Sequence, residues 1–314
     1  MDNLRTYTST GFKLIHHPDV IQRMKLQKRI MPISLQVAPT SRCNLNCSFC
    51  SNANRRKHED LGLRPLSLIL NELSRLDLKT VEWTGGGDPT LYEGINEIIK
   101  VASFCGLEQG FITNGTLVKQ VLTRDSLDSL KWMRISMNCL DYVDKIHLPR
   151  FKGTLGFSYV WNDKTNPSTL ERLQIHVERY HPKYVRIVPN CQATREEQEA
   201  NNLILGEKVS QMGKPYFYQA KHFDKPDHCW WAYFKPFLLH DGFVYPCSSV
   251  VLNTTSEFTF HKKFRWCEME DLPKKYATKS LPLKVTHCDH CVFSEQNRLV
   301  DEILEPADGM ENFV

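Results

Sequence analysis

No apolar run in this 314-residue chain approaches the roughly 20 residues that a membrane-spanning helix needs. The segment Met1–Thr10 is polar and lacks the apolar core of a secretory signal. The expectation is a cytoplasmic protein with no membrane partner. A marked charge of either sign is missing too. Lys and Arg number 40 against 36 Asp and Glu, a formal net charge of +4. That balance does not by itself mark a nucleic-acid binder. The apolar fraction of 41% is ordinary for a folded globular chain. Its length suits one large domain with a smaller addition.

Cysteine, by contrast, is plentiful. Eleven cysteines in a cytosolic chain point to metal or redox chemistry rather than disulfides. Three of them, Cys43, Cys47 and Cys50, fall within eight residues, directly after a strand-like run, Pro32–Val37. So short a loop can turn three sulfurs toward one point, and soft thiolates suit an iron–sulfur cube. Three ligands for four irons leave one iron open to a small molecule. A zinc knuckle is the alternative, with His58 as the close fourth ligand that zinc wants.

Farther along, Ser67 is placed as the cap of a helix over Leu68–Asp77, with leucines at helical spacing. A strand over Thr80–Thr84 runs into Gly85-Gly86-Gly87-Asp88-Pro89, where glycines let backbone approach a ligand. Helices over Tyr92–Ser103, 116–130 and Ser168–Tyr180 alternate with strands over Gln109–Thr113, Trp132–Met137, Leu155–Trp161 and Tyr184–Val188. Six strand–helix units in sequence predict an α/β fold, a partial (β/α)6 parallel barrel. Active sites of such barrels lie at the C-terminal strand ends. The cysteine loop, the glycines, Asn114, Asn138 and Cys191 all fall at such ends. Residues 1–31 read as a solvated lead-in, 32–222 as the barrel and 223–314 as a small C-terminal domain with a tail.

The Cys-x3-Cys-x2-Cys spacing, with Phe49 before the third cysteine, resembles the signature of the radical S-adenosylmethionine (radical SAM) superfamily. The resemblance implies a [4Fe-4S] cluster on Cys43, Cys47 and Cys50, with S-adenosylmethionine chelated at the open iron. It implies reductive cleavage to a 5′-deoxyadenosyl radical that abstracts hydrogen from substrate. The run Gly85, Gly86, Gly87, Asp88 resembles the family's Gly-Gly-Glu-Pro element, which binds the SAM amino group, with Asp in place of the commoner Glu. Thr113-Asn114-Gly115 resembles another recurrent family turn. By the same analogy Phe49 packs near adenine, Ser136 or Asn138 meets the ribose, and the backbone after Val188 meets the adenine edge.

A second set lies in the last third: Cys229, Cys247, Cys288 and Cys291. Asp241-Gly242 between Phe237–His240 and Phe243–Tyr245 is a hairpin signal. A hairpin with two thiols plus a later Cys-x2-Cys can cage zinc or a four-iron cluster. The spacing resembles the twitch domain, a shortened relative of the SPASM domain, which implies an auxiliary [4Fe-4S] cluster. A full SPASM domain would have further cysteines, and none follows Cys291.

Of the remaining thiols, Cys139 and Cys191 sit at strand ends, where a thiol could return hydrogen to a substrate radical; an inert half-buried thiol is the alternative. Cys105 reads as core packing, and Cys267 has no assigned role. His147, His176 and His181 read as surface or turn residues. His261–Trp266 reads either as a phosphate- and base-gripping run or as an amphipathic strand over the second cysteine set. The family resemblance implies a reductant such as flavodoxin or ferredoxin. It leaves three substrate classes open: a peptide to be epimerised, oxidised or crosslinked, a small molecule to be dehydrogenated, or a nucleotide or nucleic-acid base. A non-catalytic module with zinc at both cysteine sets is the reading from another class.

Overall fold

Ser34-Leu35-Gln36-Val37 alternates apolar and polar side chains with the period of a strand, and it is the first of six strands before residue 190. The computed structural model describes residues 6–53, 58–220, 224, 228–251, 260–284, 288 and 291–305. The lead-in forms a 3-10 turn, Gly11–His16, and helix α1, Pro18–Gln27. It buries Leu14, Val20, Met24, Ile30 and Met31, so its apolar positions make it a packed layer and not a solvated cap.

Strand β1, Ser34–Val37, leads through the cysteine loop to α2, Leu63–Arg75. Ser67 lies inside this helix, its hydroxyl donating to the Leu63 carbonyl at 2.7 Å, and the N-cap is Gly62. The capping expectation is therefore corrected: the leucine ladder begins one turn earlier. Strand β2, Thr80–Trp83, is followed by α3, Ile95–Phe104, and β3, Glu108–Thr113. The expected helix over 116–130 divides into α4, Val118–Val121, and α5, Arg124–Ser129. Thr123 causes the break by capping the second piece, its side chain accepting from Ser126 N–H. Then come β4, Leu130–Ser136, β5, Thr154–Trp161, α6, Pro167–Tyr180, and β6, Tyr184–Pro189. Helix α7, Arg195–Met212, and β7, Tyr216–Tyr218, extend the series beyond the six expected strands.

Strands β1 to β7 run parallel in sequence order. Alternate side chains (Leu35, Val81, Phe111, Met133, Phe157, Val185) are fully buried against the helix layer of Leu70, Leu73, Ile98, Ile99 and Leu173. The other face of the strands carries Gln36, Glu82, Arg134 and Arg186 and lines the inside of the curve. His176 is a core residue on α6, in contrast to its surface reading. Its Nε2 accepts from Ile146 N–H at 3.2 Å and its Nδ1 lies 2.7 Å from the Arg172 carbonyl.

The chain then doubles back. Strand β8, His228–Cys229, and helix α8, Trp231–Phe234, precede β9, Phe237–Leu238, and β10, Phe243–Tyr245. The β9–β10 hairpin forms as the Asp-Gly signal predicts, with Gly242 at φ 81° in the left-handed region. Its position is the surprise. Strand β9 joins β1 in parallel, pairing Gln36 with Phe237 and Val37 with Leu238. Strand β11, Cys267–Glu268, pairs antiparallel to β10 and ends a ten-stranded sheet. The C-terminal antiparallel region thus continues the barrel sheet. Helix α9, Leu272–Lys275, strand β12, Leu283–Lys284 (paired with β8), and helix α10, Ser294–Leu304, complete the fold.

Candidate active site

The cysteine loop leaves the C-terminal end of β1, and the end of every strand from β2 to β6 reaches it. From β2, Gly87 N–H donates to the Thr40 carbonyl at 2.8 Å and Asp88 N–H to the Arg42 carbonyl at 2.7 Å. From β3, Asn114 Nδ2 donates to Asn44 Oδ1 at 2.8 Å and lies 4.0 Å from Cys43 Sγ. Asn44 Nδ2 in turn donates to the Thr116 hydroxyl at 2.8 Å. After β4, the Tyr142 hydroxyl accepts from Ser48 N–H at 3.3 Å and hydrogen-bonds Cys47. After β5, the Asp163 carboxylate accepts from the Ser48 hydroxyl at 3.2 Å. After β6, Gln192 Nε2 donates to the Cys50 carbonyl and Cys191 Sγ lies 4.0 Å from the Phe49 carbonyl.

Inside the loop, Cys50 N–H donates to the Cys47 carbonyl at 3.1 Å, closing the turn that carries the last two thiols. All three cysteines are half-buried. Burial, then the neighbouring Cys50, pushes the Cys47 thiol up to about 12. Among the described residues, no group of three His, Cys, Asp or Glu side chains is gathered closely enough to hold a single metal ion. A four-iron cube spreads its ligating sulfurs more widely than one ion does. Cys43 and Cys50 both lie near Cys47, and three such thiols on one pinned loop fit that group.

The glycine run is built for close backbone approach. A Cβ on Gly85 would lie 2.0 Å from the Gly87 carbonyl oxygen, and one on Gly87 would lie 1.9 Å from that of Arg42. A Cβ on Gly86 would fall 2.4 Å from His240 Cδ2. The Asp88 carboxylate turns inward. It accepts from Thr90 N–H at 3.0 Å, Asn114 N–H at 2.7 Å and the Thr113 hydroxyl at 2.9 Å. It ties the β2 and β3 ends together.

Other sequence candidates separate in the same way. The Asn138 amide is committed to β5, accepting from Val160 N–H at 2.7 Å and donating to the Val160 carbonyl at 2.9 Å. Half-buried Ser136 remains as the candidate for a ribose contact. Phe49 and Val188 are buried, at the loop and the β6 end respectively. Cys139 lies within the hydrophobic core, 1% exposed, and burial pushes its thiol up to about 12. It is closed off from solvent, with Cys47 and Asp88 near enough to act on it. Cys191 stays at the loop. Cys105 packs at the end of α3, as expected, and Cys267 lies on β11.

In the second set, Cys229 on β8 feels Cys291 and Cys288 nearby, and burial pushes its thiol up to about 12. Cys291 Sγ accepts from Phe293 N–H at 3.3 Å and lies 3.8 Å from Asn297 Nδ2. Cys247 follows β10 and is buried. Cys288 and Cys291 thus both neighbour Cys229, and Cys247 follows the hairpin strand two residues on. His287 and His290 lie outside the described residues, as does part of the 51–59 loop. Arg42, Tyr142, Asp163, Gln192 and His240 were not singled out from the sequence. Each reaches the site through tertiary contact and has no local pattern to mark it.

The sequence model of the radical SAM superfamily matches residues 37–153. PqqA peptide cyclase of Bradyrhizobium diazoefficiens is 32% identical over 111 residues, 35% of this chain and 28% of its own length. A probable GTP 3′,8-cyclase of Pyrococcus abyssi is 31% identical over 109 residues, 34% of this chain and 35% of its own. The matched stretch thus spans about a third of these curated relatives. Among solved structures, Streptococcus suis SuiB bound to precursor peptide SuiA superposes with a TM-score of 0.56 at 13% identity, over 86% of this chain and 70% of that one. The anSMEcpe structure with bound AdoMet and Kp18Cys peptide gives 0.51 at 13% identity, over 87% and 84%. The fold is common to all three, and the stretch of this chain that matches the radical SAM superfamily, residues 37–153, includes the Cys43–Cys50 loop.

Proposed function

We propose that the chain is a radical SAM enzyme that cleaves S-adenosylmethionine reductively and abstracts hydrogen from a peptide. The observation that carries this reading is the convergence of five strand ends on one three-cysteine loop. When bound there, a [4Fe-4S] cluster with an open iron supplies the electron that cleaves S-adenosylmethionine to the hydrogen-abstracting 5′-deoxyadenosyl radical. Cys43, Cys47 and Cys50 are its ligands. Asn114 and Tyr142 hold the first two thiols in place. The Gly85–Gly87 backbone receives the amino group, Ser136 the ribose, and Phe49 with the backbone after Val188 the adenine. Cys191 stands where a thiol can return hydrogen to substrate.

Residues 223–314 are read as the twitch-like part, with Cys229, Cys247, Cys288 and Cys291 holding a second [4Fe-4S] cluster for electron transfer or pocket shaping. A flavodoxin- or ferredoxin-type reductant is the matching partner, and the cytoplasm the matching compartment. The peptide class is supported by the likeness to PqqA peptide cyclase. Nucleotide chemistry is the second reading, supported by the GTP cyclases that match with similar identity.

The test is iron and sulfide content of anaerobically prepared protein, with 5′-deoxyadenosine formation, in wild type and a Cys43/Cys47/Cys50 triple Ala variant. About eight irons per chain, falling to about four in the variant with loss of SAM cleavage, is the expected result. About four irons and one zinc would keep the radical chemistry and remove the electron-transfer role of the second site. Zinc alone, with no SAM cleavage, would replace the proposal with a zinc-stabilised binding module.

A further inference from the structure

The barrel's opposite end holds a cavity that radical chemistry at the cysteine loop does not use. It measures about 400 Å³ and is lined by the first residues of β1 to β4, closed by the N-terminal lead-in and by α8. With strands of four to seven residues, it lies roughly 15–20 Å from the cysteine loop. A volume of this size holds a small organic molecule.

Its walls have two characters. Trp132 supplies flat apolar surface, with the edges of the nearly buried Trp231 and Phe234 beside it, and its ring lies so close over Gly110 that a Cβ there would come within 2.2 Å of it. Charge supplies the other character. Lys13, Lys79, Lys131 and Lys235 line the cavity against two carboxylates, Glu82 and Glu108. Both carboxylates are taken, Glu82 by Lys235 at 2.6 Å and Glu108 by Lys131. Behind Glu82, Arg134 and Arg186 add two more cations to the barrel interior. The cavity end of the barrel is therefore short of negative charge.

Two hydroxyls give an independent sign of a ligand. Ser34 Oγ and Thr10 Oγ1 are buried in the lining and have no hydrogen-bond partner among the described residues. A buried polar group without a partner costs free energy that a bound polar group would offset.

We propose that this cavity is a second binding site, for a small carboxylate with an aromatic body. The ring would lie against the Trp132 indole. The carboxylate would take charge-assisted hydrogen bonds from Lys13 and Lys79, with Ser34 and Thr10 as further polar contacts.

Isothermal calorimetry on the full, anaerobically prepared chain tests this, with 3-phenylpropionate as probe and its neutral amide as control. The expected result is saturable one-to-one binding of the acid. A Lys13→Gln/Lys79→Gln variant, changed at two exposed lysines, should bind about tenfold more weakly, and so should the amide with wild type. Saturating S-adenosylmethionine should leave the affinity unchanged. Absence of saturable heat, equal binding of acid and amide, unchanged affinity in the variant, or competition by S-adenosylmethionine would each overturn the proposal.

Discussion

The Gly86 Cα faces the His240 ring so closely that a single added carbon would lie 2.4 Å from His240 Cδ2. One residue belongs to the glycine run after β2, the other to the C-terminal hairpin seated beside β1. His240 is buried, and its Nδ1 lies 3.2 Å from a Glu59 carboxylate oxygen, on the segment after the cysteine loop. The contact therefore joins three parts of the chain at the cysteine-loop end of the barrel. Gly86→Ala should displace the ring and destabilise the fold by about 1–3 kcal/mol, the usual cost of overpacking. Adding His240→Ala should recover part of that loss. A double-mutant cycle of denaturant unfolding measures the coupling, and strictly additive effects would show that the two residues do not share this space.

Asn114 clamps the first cysteine from the β3 end, donating to Asn44 while its own Oδ1 accepts from Thr116 N–H at 3.0 Å. Asn114→Ala removes both halves of the clamp and leaves a buried gap. We expect a fold weakened by about 1–3 kcal/mol and faster loss of iron on exposure to air. Iron content followed over time after oxygen is admitted, against wild type, is the check. Equal rates would mean that the loop holds its shape without the clamp.

The sequence carries the barrel well because strand alternation and helix spacing are local patterns. The hairpin at Asp241-Gly242 is local too, and it forms where expected. Its seat beside β1 is not local, since nothing in Phe237–Leu238 names its partner strand. Helix α7 escaped because its apolar residues are scattered around the helix. Its capping box, in which Thr194 and Glu197 bond each other's backbone, is the signal that marks it. At the site, the thiols and glycines were legible as motifs. Whether Asp88, Asn138 and Cys139 look outward or inward depended on neighbours from other strands, which no spacing encodes.

The two thiols considered for hydrogen return now carry different expectations. Cys139 is packed in the core, so Cys139→Ser introduces a hydroxyl among apolar neighbours and should cost about 1–3 kcal/mol of stability. SAM cleavage per folded molecule should stay at the wild-type level. Cys191→Ser should leave folding nearly unchanged and alter the product formed after hydrogen abstraction. Unfolding curves, together with mass-spectrometric product analysis in deuterated water, separate the two. An identical product pattern in Cys191→Ser would remove this residue from the chemistry.

Inside the barrel, Glu82 is held by Lys235 at 2.6 Å and by Gln36 Nε2 at 2.9 Å. Although burial opposes its charge, Lys235 and then Arg134 and Gln36 outweigh it and hold the carboxyl below its usual 4.5. A depressed acid stabilises the fold fully above its unfolded value, and that contribution is lost as pH falls through the folded one. Wild-type stability should therefore decline below about pH 4.5 with a share that belongs to Glu82. Glu82→Gln keeps the shape but leaves Lys235 buried beside an uncharged amide, at a cost of about 3–5 kcal/mol near neutral pH. The difference between wild type and variant should then narrow as the solution is acidified. Urea midpoints measured from pH 7 down to pH 3 test the sign. A difference that stays constant across that range would mean that folding does not shift the Glu82 carboxyl, and a difference that widens on acidification would mean that Glu82 holds its proton in the fold; either would remove the Lys235 pair as an ionic contact.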